Sequence, residues 1–234
     1  MNLTIAGLTF RPLLGRRRAL LLLPMPVFLI GLTVLARAES AHVDRWAPVV
    51  LGQLGLGVIL PLTALIVGSS VLDPEIEDGT ITHILAKPLP RSEIVLAKLA
   101  VAWAVSTVTT AVPLAVAGAI AGGGGLAAGM GVGAAVGAPA YSAIFVALSL
   151  MIRRPVAAGL LYIMLWENLL VRFVGGVKEQ YATMLAHGIS RSDVLPGTPL
   201  SAMAAALLSA AFIIGGTVLA TSRLRSFRLT GETS

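Results

Sequence analysis

The sequence predicts an all-α, polytopic membrane protein with six transmembrane helices, an N-terminal interfacial helix and a short cytoplasmic helix. The first observation is composition: the chain has 234 residues, of which 56% are hydrophobic and 12% charged, and its mean hydropathy is +0.90. Soluble domains carry about 25% charged residues, and a soluble globule of this size could not bury so much apolar surface. The other two observations are the length of the apolar runs and the distribution of basic residues.

Six apolar runs each approach the ~20 residues needed to cross the hydrocarbon core of a bilayer. They are predicted at residues 19–36, 47–72, 95–121, 126–152, 156–175 and 200–222. The first is short and carries Pro24 and Pro26, and the fifth contains Glu167. Residues 1–18 are then predicted to form a cytoplasmic interfacial segment. Residues 19–222 form the transmembrane domain, with a cytoplasmic coupling loop at 73–93, and residues 223–234 form a cytoplasmic tail.

The orientation follows from the excess of Lys and Arg in cytoplasmic loops. If the N-terminus is cytoplasmic, twelve basic residues lie inside and five outside. Both termini are therefore predicted to be cytoplasmic, which requires an even number of spans. The five outside are Arg37, Arg45, Arg172, Lys178 and Arg191.

The N-terminal segment contains no acid and ends in the cluster Arg16–Arg18. Its apolar residues favour an interfacial helix on the inner leaflet, and the alternative is a disordered basic tail. The net charge of +6 is explained by anionic lipid headgroups rather than nucleic acid, because the basic residues lie at the ends of apolar runs. The absence of cysteine excludes disulfides, thiolate metal sites and a cysteine nucleophile.

Small residues dominate the junction of the third and fourth spans. The run Gly122–Gly125 predicts a tight outer turn. Beyond it, glycines recur every four residues near one helix face, which permits close approach of another helix. That face is either packed within the subunit, which we favour, or a dimer seam. These glycines are Gly125, Gly129, Gly133 and Gly137.

The loop between the second and third spans is the most informative segment. Asp73 and Pro74 end the second span, since proline disfavours helix in the residue before it, and an acidic cluster follows. Gly79 permits a turn, Thr80 can cap a short helix over 80–86, and Pro88 stops it. The cluster comprises Glu75, Glu77 and Asp78, and the apolar positions of the helix are Ile81, Ile84 and Leu85.

An amphipathic helix of this kind is suited to docking into a groove on another protein. The alternative is an ordinary connector on the inner leaflet, although acids are unusual there because that leaflet is itself anionic. The loop pattern resembles the cytoplasmic signature of type-2 ABC exporter permeases, and the basic N-terminal segment, six spans and cytoplasmic termini resemble that family's layout. The matching positions are Glu75, Glu77, Gly79, Thr80, Leu85, Pro88, Arg91 and Lys98.

The resemblance implies that the short helix is a coupling helix that docks on a separate ABC ATPase subunit, which binds ATP and Mg²⁺. It further implies a second permease subunit, identical or a sister chain, a location in the cell inner (cytoplasmic) membrane, and export. Ile81, Ile84 and Leu85 would make the buried contacts, and the acidic cluster would orient them. We expect no cofactor on this chain, because none of its three lysines follows a glycine as a P-loop requires.

Glu167 is the one acid well inside a predicted span. It is either a gate or pathway residue, since acids in membranes usually face a cavity or partner, or a structural hydrogen-bonding group beside Trp166. The Trp166–Glu167 pair also resembles bacterial members of the family. Gln53 favours a packing hydrogen bond over a substrate ligand.

The sequence was also compared with what a metalloprotein, an enzyme, a secondary transporter or a channel would require. His42, His83 and His187 lack the spacing of metal ligands, and no clustered polar site suggests an enzyme. We therefore expect a transport subunit rather than an enzyme. The alternatives are a secondary transporter or channel without an ATPase, which usually shows broken or polar helices at the midplane, and a membrane-embedded enzyme.

Overall fold

The computed structural model describes residues 22–40, 42–71, 91–152, 155–165 and 202–226. These residues form helices and short connections, with no strand among them. The helices are α1 (Pro24–Glu39), α2 (Val43–Ser70), α3 (Arg91–Gly122), α4 (Gly124–Met151), α5 (Pro155–Tyr162) and α6 (Ala202–Ser226).

A helix therefore occurs at each of the six predicted positions. Three of them have 28-residue stretches that are long and apolar enough to cross a membrane: Val43–Ser70, Val95–Gly122 and Gly124–Met151. Shorter apolar helices occur at Pro155–Leu165 and Ala210–Arg223. Residues 1–18, the predicted interfacial segment, lie outside the described residues.

Helix α1 carries its two prolines at its start rather than in its interior, and the predicted start at residue 19 lies outside the described residues. Pro24 is the first helical residue, a position that proline favours since its missing N–H would have no intrahelical partner. The helix continues to Glu39, beyond the predicted end at 36. The two prolines thus define where the helix starts and do not interrupt it.

Helix α2 changes character along its length. Residues Val43–Ala47 are α-helical, Pro48–Ile59 form a π-helix, and Leu60–Ser70 are α-helical again. In the π-helical part the N–H of Leu60 donates to the carbonyl of Gly55, five residues earlier. Pro61, which has no N–H to donate, is the second residue after this stretch. Stretches of π-helix are rare, and single turns are frequent at functional sites.

Helices α3 and α4 form a tight antiparallel pair around one residue. Gly123 is non-helical, with φ 80° and ψ −162°, a backbone conformation open to glycine and costly for other residues. Helix α3 ends at Gly122 and α4 begins at Gly124. The predicted tight turn is therefore confirmed, and it is shorter than the four-glycine run.

Helix α4 packs against α3, α6, α2 and α5, while α1 packs against α3 and α2. The predicted glycine face is largely internal, because Gly129, Gly133 and Gly137 are buried within the single chain. Gly125 is exposed. The favoured interpretation, packing within the subunit, is thus supported for three of the four glycines.

The buried apolar side chains form two clusters along the helices. The central cluster joins α1, α2, α3 and α4 with Ile163 beyond α5, and it includes Leu29, Leu51, Leu114, Met130 and Phe145. The ring of Phe145 meets that of Tyr162 edge to face, with centroids 5.9 Å apart, which secures α5. The second, which we call the loop-end cluster, comprises Val67, Val71, Val95, Leu99, Val101, Ala102, Ala143, Val146, Ala147, Leu150 and Ala220.

Candidate functional site

The candidate site is the base of the loop that connects α2 to α3. Helix α2 ends at Ser70, with Val71 as its C-terminal cap, and α3 is described from Arg91. The side chain of Lys98, two turns into α3, reaches back to the end of α2. Its Nζ donates a hydrogen bond to the carbonyl oxygen of Val71 at 2.8 Å. The end of α2 is therefore bonded to α3 two turns beyond the loop.

The Lys98–Val71 hydrogen bond supplies a donor to a carbonyl at the end of α2. The last carbonyls of a helix have no intrahelical donor, and the carboxyl end of the helix macrodipole attracts a cation. A distance of 2.8 Å is within the range of charge-assisted hydrogen bonds, whose net contribution is about 1.5–3 kcal/mol. Lys98 thus acts as a C-terminal cap for α2, although it belongs to α3.

The Lys98 side chain is buried, so its ammonium group depends on the hydrogen bond to Val71. Lys98 is 2% exposed and is the largest fully buried side chain in the described part of the chain. Desolvating an ammonium group costs several kcal/mol unless it is well bonded, so a lysine in this position needs its carbonyl partner. The neighbouring residues Val95, Leu99 and Val71 all belong to the loop-end cluster. The loop base is therefore a charged contact within an apolar core.

The loop-end cluster determines which helices are connected to the loop. Its members come from α2, α3, α4 and α6. Well-packed interiors transmit displacement rather than absorb it. A displacement applied at residues 72–90 would thus reach four helices through direct side-chain packing.

Most of the sequence-predicted site residues lie outside the described residues. This group comprises Glu75, Glu77, Asp78, Gly79, Thr80, Ile81, Ile84, Leu85, Pro88 and Glu167. Arg91 is described as the first residue of α3. The predicted loop 73–93 therefore includes three residues that are helical, because α3 extends further toward the loop than predicted.

Two residues have surroundings that the sequence did not reveal. Lys98 was counted among the basic residues on the cytoplasmic side, yet it is buried and bonded to a carbonyl. The resemblance to the family pattern was the one signal that singled it out. Gln53 was expected to make a packing hydrogen bond, but it is exposed, and it has no hydrogen-bond partner in the described part of the chain.

The described residues contain no group of three or more His, Asp or Glu side chains that could hold a metal ion. Several of their buried hydroxyls are hydrogen-bonded, within a helix or between two helices. Ser142 Oγ lies 3.5 Å from Ser106 Oγ, between α4 and α3, and Thr110 Oγ1 donates to the carbonyl of Ser106 at 2.6 Å. The contact between Ser142 and Ser106 joins two helices, and polar contacts of that kind stabilise helix pairs in membranes.

Three helices long and apolar enough to cross a bilayer indicate an integral membrane protein. The family model for the ABC-2 family transporter protein matches residues 32–189, which is more than half of the chain. The chain therefore belongs to the ABC-2 family of transporter permeases, which makes it a transport subunit rather than an enzyme. A comparison with curated proteins found no match.

Proposed function

We propose that this protein is the membrane-spanning permease subunit of an ATP-driven exporter, with six spans and both termini in the cytoplasm of an inner (cytoplasmic) membrane. A separate ABC ATPase subunit, which binds ATP and Mg²⁺, docks on the loop 72–90. A second permease subunit completes the pathway. The single observation that carries the proposal, beyond family membership, is the bonded base of that loop, 2.8 Å across from Lys98 to Val71.

The proposed mechanism depends on the contacts that hold the end of α2 against α3, namely the Lys98–Val71 bond and the loop-end cluster. Closure of the ATPase pair on ATP pushes the coupling helix at 80–86. A loop whose ends could separate would absorb that displacement, whereas ends bonded together pass it on to the helices that hold them. The loop-end cluster then moves α2, α3, α4 and α6 together, since packed cores shift between arrangements rather than deform continuously.

Polar replacement of Ile84 and Leu85 should uncouple the subunits. These residues are proposed to fill an apolar groove on the ATPase, and the loss of such anchors typically costs more than 2 kcal/mol each. We expect the tagged permease variant to reach the membrane normally but to retain at most about one tenth of the ATPase that wild type co-purifies. The matched control is Ile84→Val with Leu85→Met, which keeps the apolar character and should retain the ATPase.

Affinity purification from gently solubilised membranes, with an ATPase assay on the eluate, measures this directly. A permease that purifies alone from membranes containing its candidate ATPase, with no ATP hydrolysis, would contradict the proposal. That result would favour a secondary transporter or a channel. An ATPase retained by the polar double variant would instead contradict only the assignment of Ile84 and Leu85.

Glu167→Gln should lower transport without affecting assembly. We propose that this acid is a pathway or gate residue, because ionisable groups within spans usually face a cavity or partner. Efflux of hydrophobic dyes from cells that express both subunits should fall about tenfold, with the ATPase still co-purifying. Unchanged efflux would identify Glu167 as a structural hydrogen-bonding residue, and Glu167→Asp is the control that keeps the charge.

A further inference from the structure

Helix α2 consists of two parts that are held in the core to different degrees. The α-helical part, Leu60–Ser70, has no exposed residue. The π-helical part, Pro48–Ile59, has 12 residues, of which Val49, Gln53 and Val58 are exposed. The part of α2 next to the loop is therefore fixed by the packing around it. The π-helical part, which we call the π segment, is packed along only part of its surface.

Two prolines bracket the π segment. Pro48 is its first residue, and Pro61 is the second residue after it. Proline has no N–H, so the ladder of backbone hydrogen bonds is interrupted at both positions, although Ala47 and Leu60 have helical φ and ψ. Between the prolines, the N–H of Leu60 donates to the carbonyl of Gly55, five residues earlier. The hydrogen bonds of the α-helical part therefore do not impose their register on the π segment.

The composition of the π segment favours neither register strongly. Apart from Gln53, its residues are valine, leucine, isoleucine, glycine and proline, so any rotation about its axis leaves apolar groups facing the core. Each of its glycines disfavours an α-helix by about 1 kcal/mol relative to alanine. If every N–H moves its acceptor from the fifth to the fourth preceding residue, no hydrogen bond is lost. We therefore expect the π and α registers of this segment to be close in free energy.

We propose that the π segment is a register switch, which converts from i→i+5 to i→i+4 hydrogen bonds when the ATPase pair closes on ATP. Because an α-helix has fewer residues per turn than a π-helix, the conversion adds rotation at every residue. The rotation accumulates toward Pro48, while Leu60–Ser70 stays in place. This inference rests on the proposed coupling to an ATPase, and it identifies the movement that displacement of the loop produces in α2.

The switch predicts which residues change their exposure. In the π register the exposed residues are spaced by four and five positions, at Val49, Gln53 and Val58. Counting back from Val58 at about 3.6 residues per turn, the α register turns Leu54 and then Leu51 outward. Leu51 is 0% exposed in the π register. Conversion should therefore expose Leu51 and Leu54, bury Gln53 and Val49, and leave Val58 unchanged.

Nitroxide labels at single cysteines test this pattern, and the cysteine-free chain needs no background substitutions. The collision rate with molecular oxygen, which enters lipid and water but not a packed core, is measured in the ATPase complex with and without ATP and vanadate. We expect it to rise about threefold or more at Leu51→Cys and to fall about as much at Gln53→Cys. Ala64→Cys, 0% exposed, and Val112→Cys, 57% exposed, are the controls and should not change.

Pro61→Ala tests the interruption of the ladder without any nucleotide. The alanine N–H can donate to the carbonyl four residues earlier, which continues the α register of Leu60–Ser70 into the π segment. We therefore expect the variant chain, alone in lipid vesicles, to have accessible labels at Leu51→Cys and Leu54→Cys and not at Gln53→Cys. Pro139→Ala, which also restores an N–H inside a helix, is the control and should retain the wild-type pattern.

Three results would overturn the register switch. The first is a wild-type chain whose accessible positions already follow the α spacing without nucleotide. The second is a pattern that nucleotide leaves unchanged in a complex that hydrolyses ATP, and the third is a Pro61→Ala chain with the wild-type pattern. Failure of the permease assignment is a separate result, because it appears as a missing ATPase in the purification. The comparison of wild type with Pro61→Ala needs no ATPase and tests the switch in that case too.

Discussion

Replacing Lys98 by methionine should leave the protein in the membrane but abolish the response of its helices to ATP. Methionine approximates the lysine stem in length and apolar character, so the packing of the loop-end cluster is preserved. The substitution removes the 2.8 Å bond from Nζ to the carbonyl of Val71, together with the further contacts of the Lys98 side chain. Without it the end of α2 and the start of α3 are joined by the packing of the loop-end cluster alone, and we expect less of the loop's displacement to be passed to α2.

The effect of Lys98→Met on stability should be smaller than its effect on coupling. A buried carbonyl left without a donor costs about 1–3 kcal/mol, but methionine also avoids the desolvation of an ammonium group. The two contributions oppose each other. The coupling effect has no such compensation, because it depends on the bond and not on the net free energy of unfolding.

A thiol reporter measures coupling without knowledge of the substrate. Val49→Cys lies near the end of α2 remote from the loop, and its labelling by maleimide is compared with and without ATP and vanadate in the complex with the ATPase. We expect the nucleotide-dependent change to fall at least tenfold in Lys98→Met. Lys98→Arg retains donor and charge, and Lys98→Gln retains a donor without charge, so coupling should decline in the order Lys, Arg, Gln, Met.

Two outcomes would contradict the role of Lys98. A methionine variant with the same nucleotide-dependent labelling as wild type would show that the bond is not needed to pass displacement to α2. Equal losses in all three variants, accompanied by loss of the ATPase from the purified complex, would indicate a structural requirement for lysine in the loop-end cluster. The order of the Lys, Arg, Gln and Met variants in nucleotide-dependent labelling therefore distinguishes a role of Lys98 in coupling from a role in packing alone.

The sequence predicted where helices lie better than what their side chains contact. The positions of α2, α3 and α4 follow from apolar runs longer than a bilayer requires, and the run Gly122–Gly125 located the turn, within which the structure identifies Gly123 as the residue with positive φ. These are local properties of the chain. They require no knowledge of which helix packs against which.

The burial of Lys98 and the exposure of Gln53 could not be predicted in the same way, because both depend on how helices that are distant in the sequence pack together. A lysine near the end of a span is usually at the membrane surface, and Lys98 is buried because the end of α2 lies beside the second turn of α3. Gln53 is exposed and lies in Pro48–Ile59, whose π-helical turn rotates residues differently from an α-helix. A uniformly apolar segment has no periodicity from which to predict that change.

Two adjacent glycines in α6 should respond oppositely to alanine. A Cβ at Gly216 would lie 2.8 Å from Cβ of Ala143 on α4, 2.9 Å from its carbonyl carbon and 3.0 Å from its carbonyl oxygen. Two of these atoms are backbone, so no side-chain rotation relieves the overlap and the helices must separate. A Cβ at Gly215 would meet nothing within 4 Å.

We therefore expect Gly216→Ala to destabilise the fold by about 1–3 kcal/mol, the usual cost of overpacking. Gly215→Ala should be neutral or stabilising by up to about 1 kcal/mol, since alanine favours helix over glycine. Denaturation in mixed micelles of increasing SDS content, followed by tryptophan fluorescence, measures both. The composition change is the same in the two variants, so any difference between them is due to the contact between α6 and α4.

A third substitution identifies the atoms responsible. Ala143→Gly removes the Cβ that lies 2.8 Å away but leaves the backbone carbonyl in place. Combined with Gly216→Ala, it should therefore recover part of the lost stability and not all of it, which a double-mutant cycle measures as a coupling energy. Full additivity of the two substitutions would mean that α6 and α4 do not meet at this position. Because Ala143 and Ala220 both belong to the loop-end cluster, separation of α6 from α4 should also weaken the response to ATP that depends on Lys98.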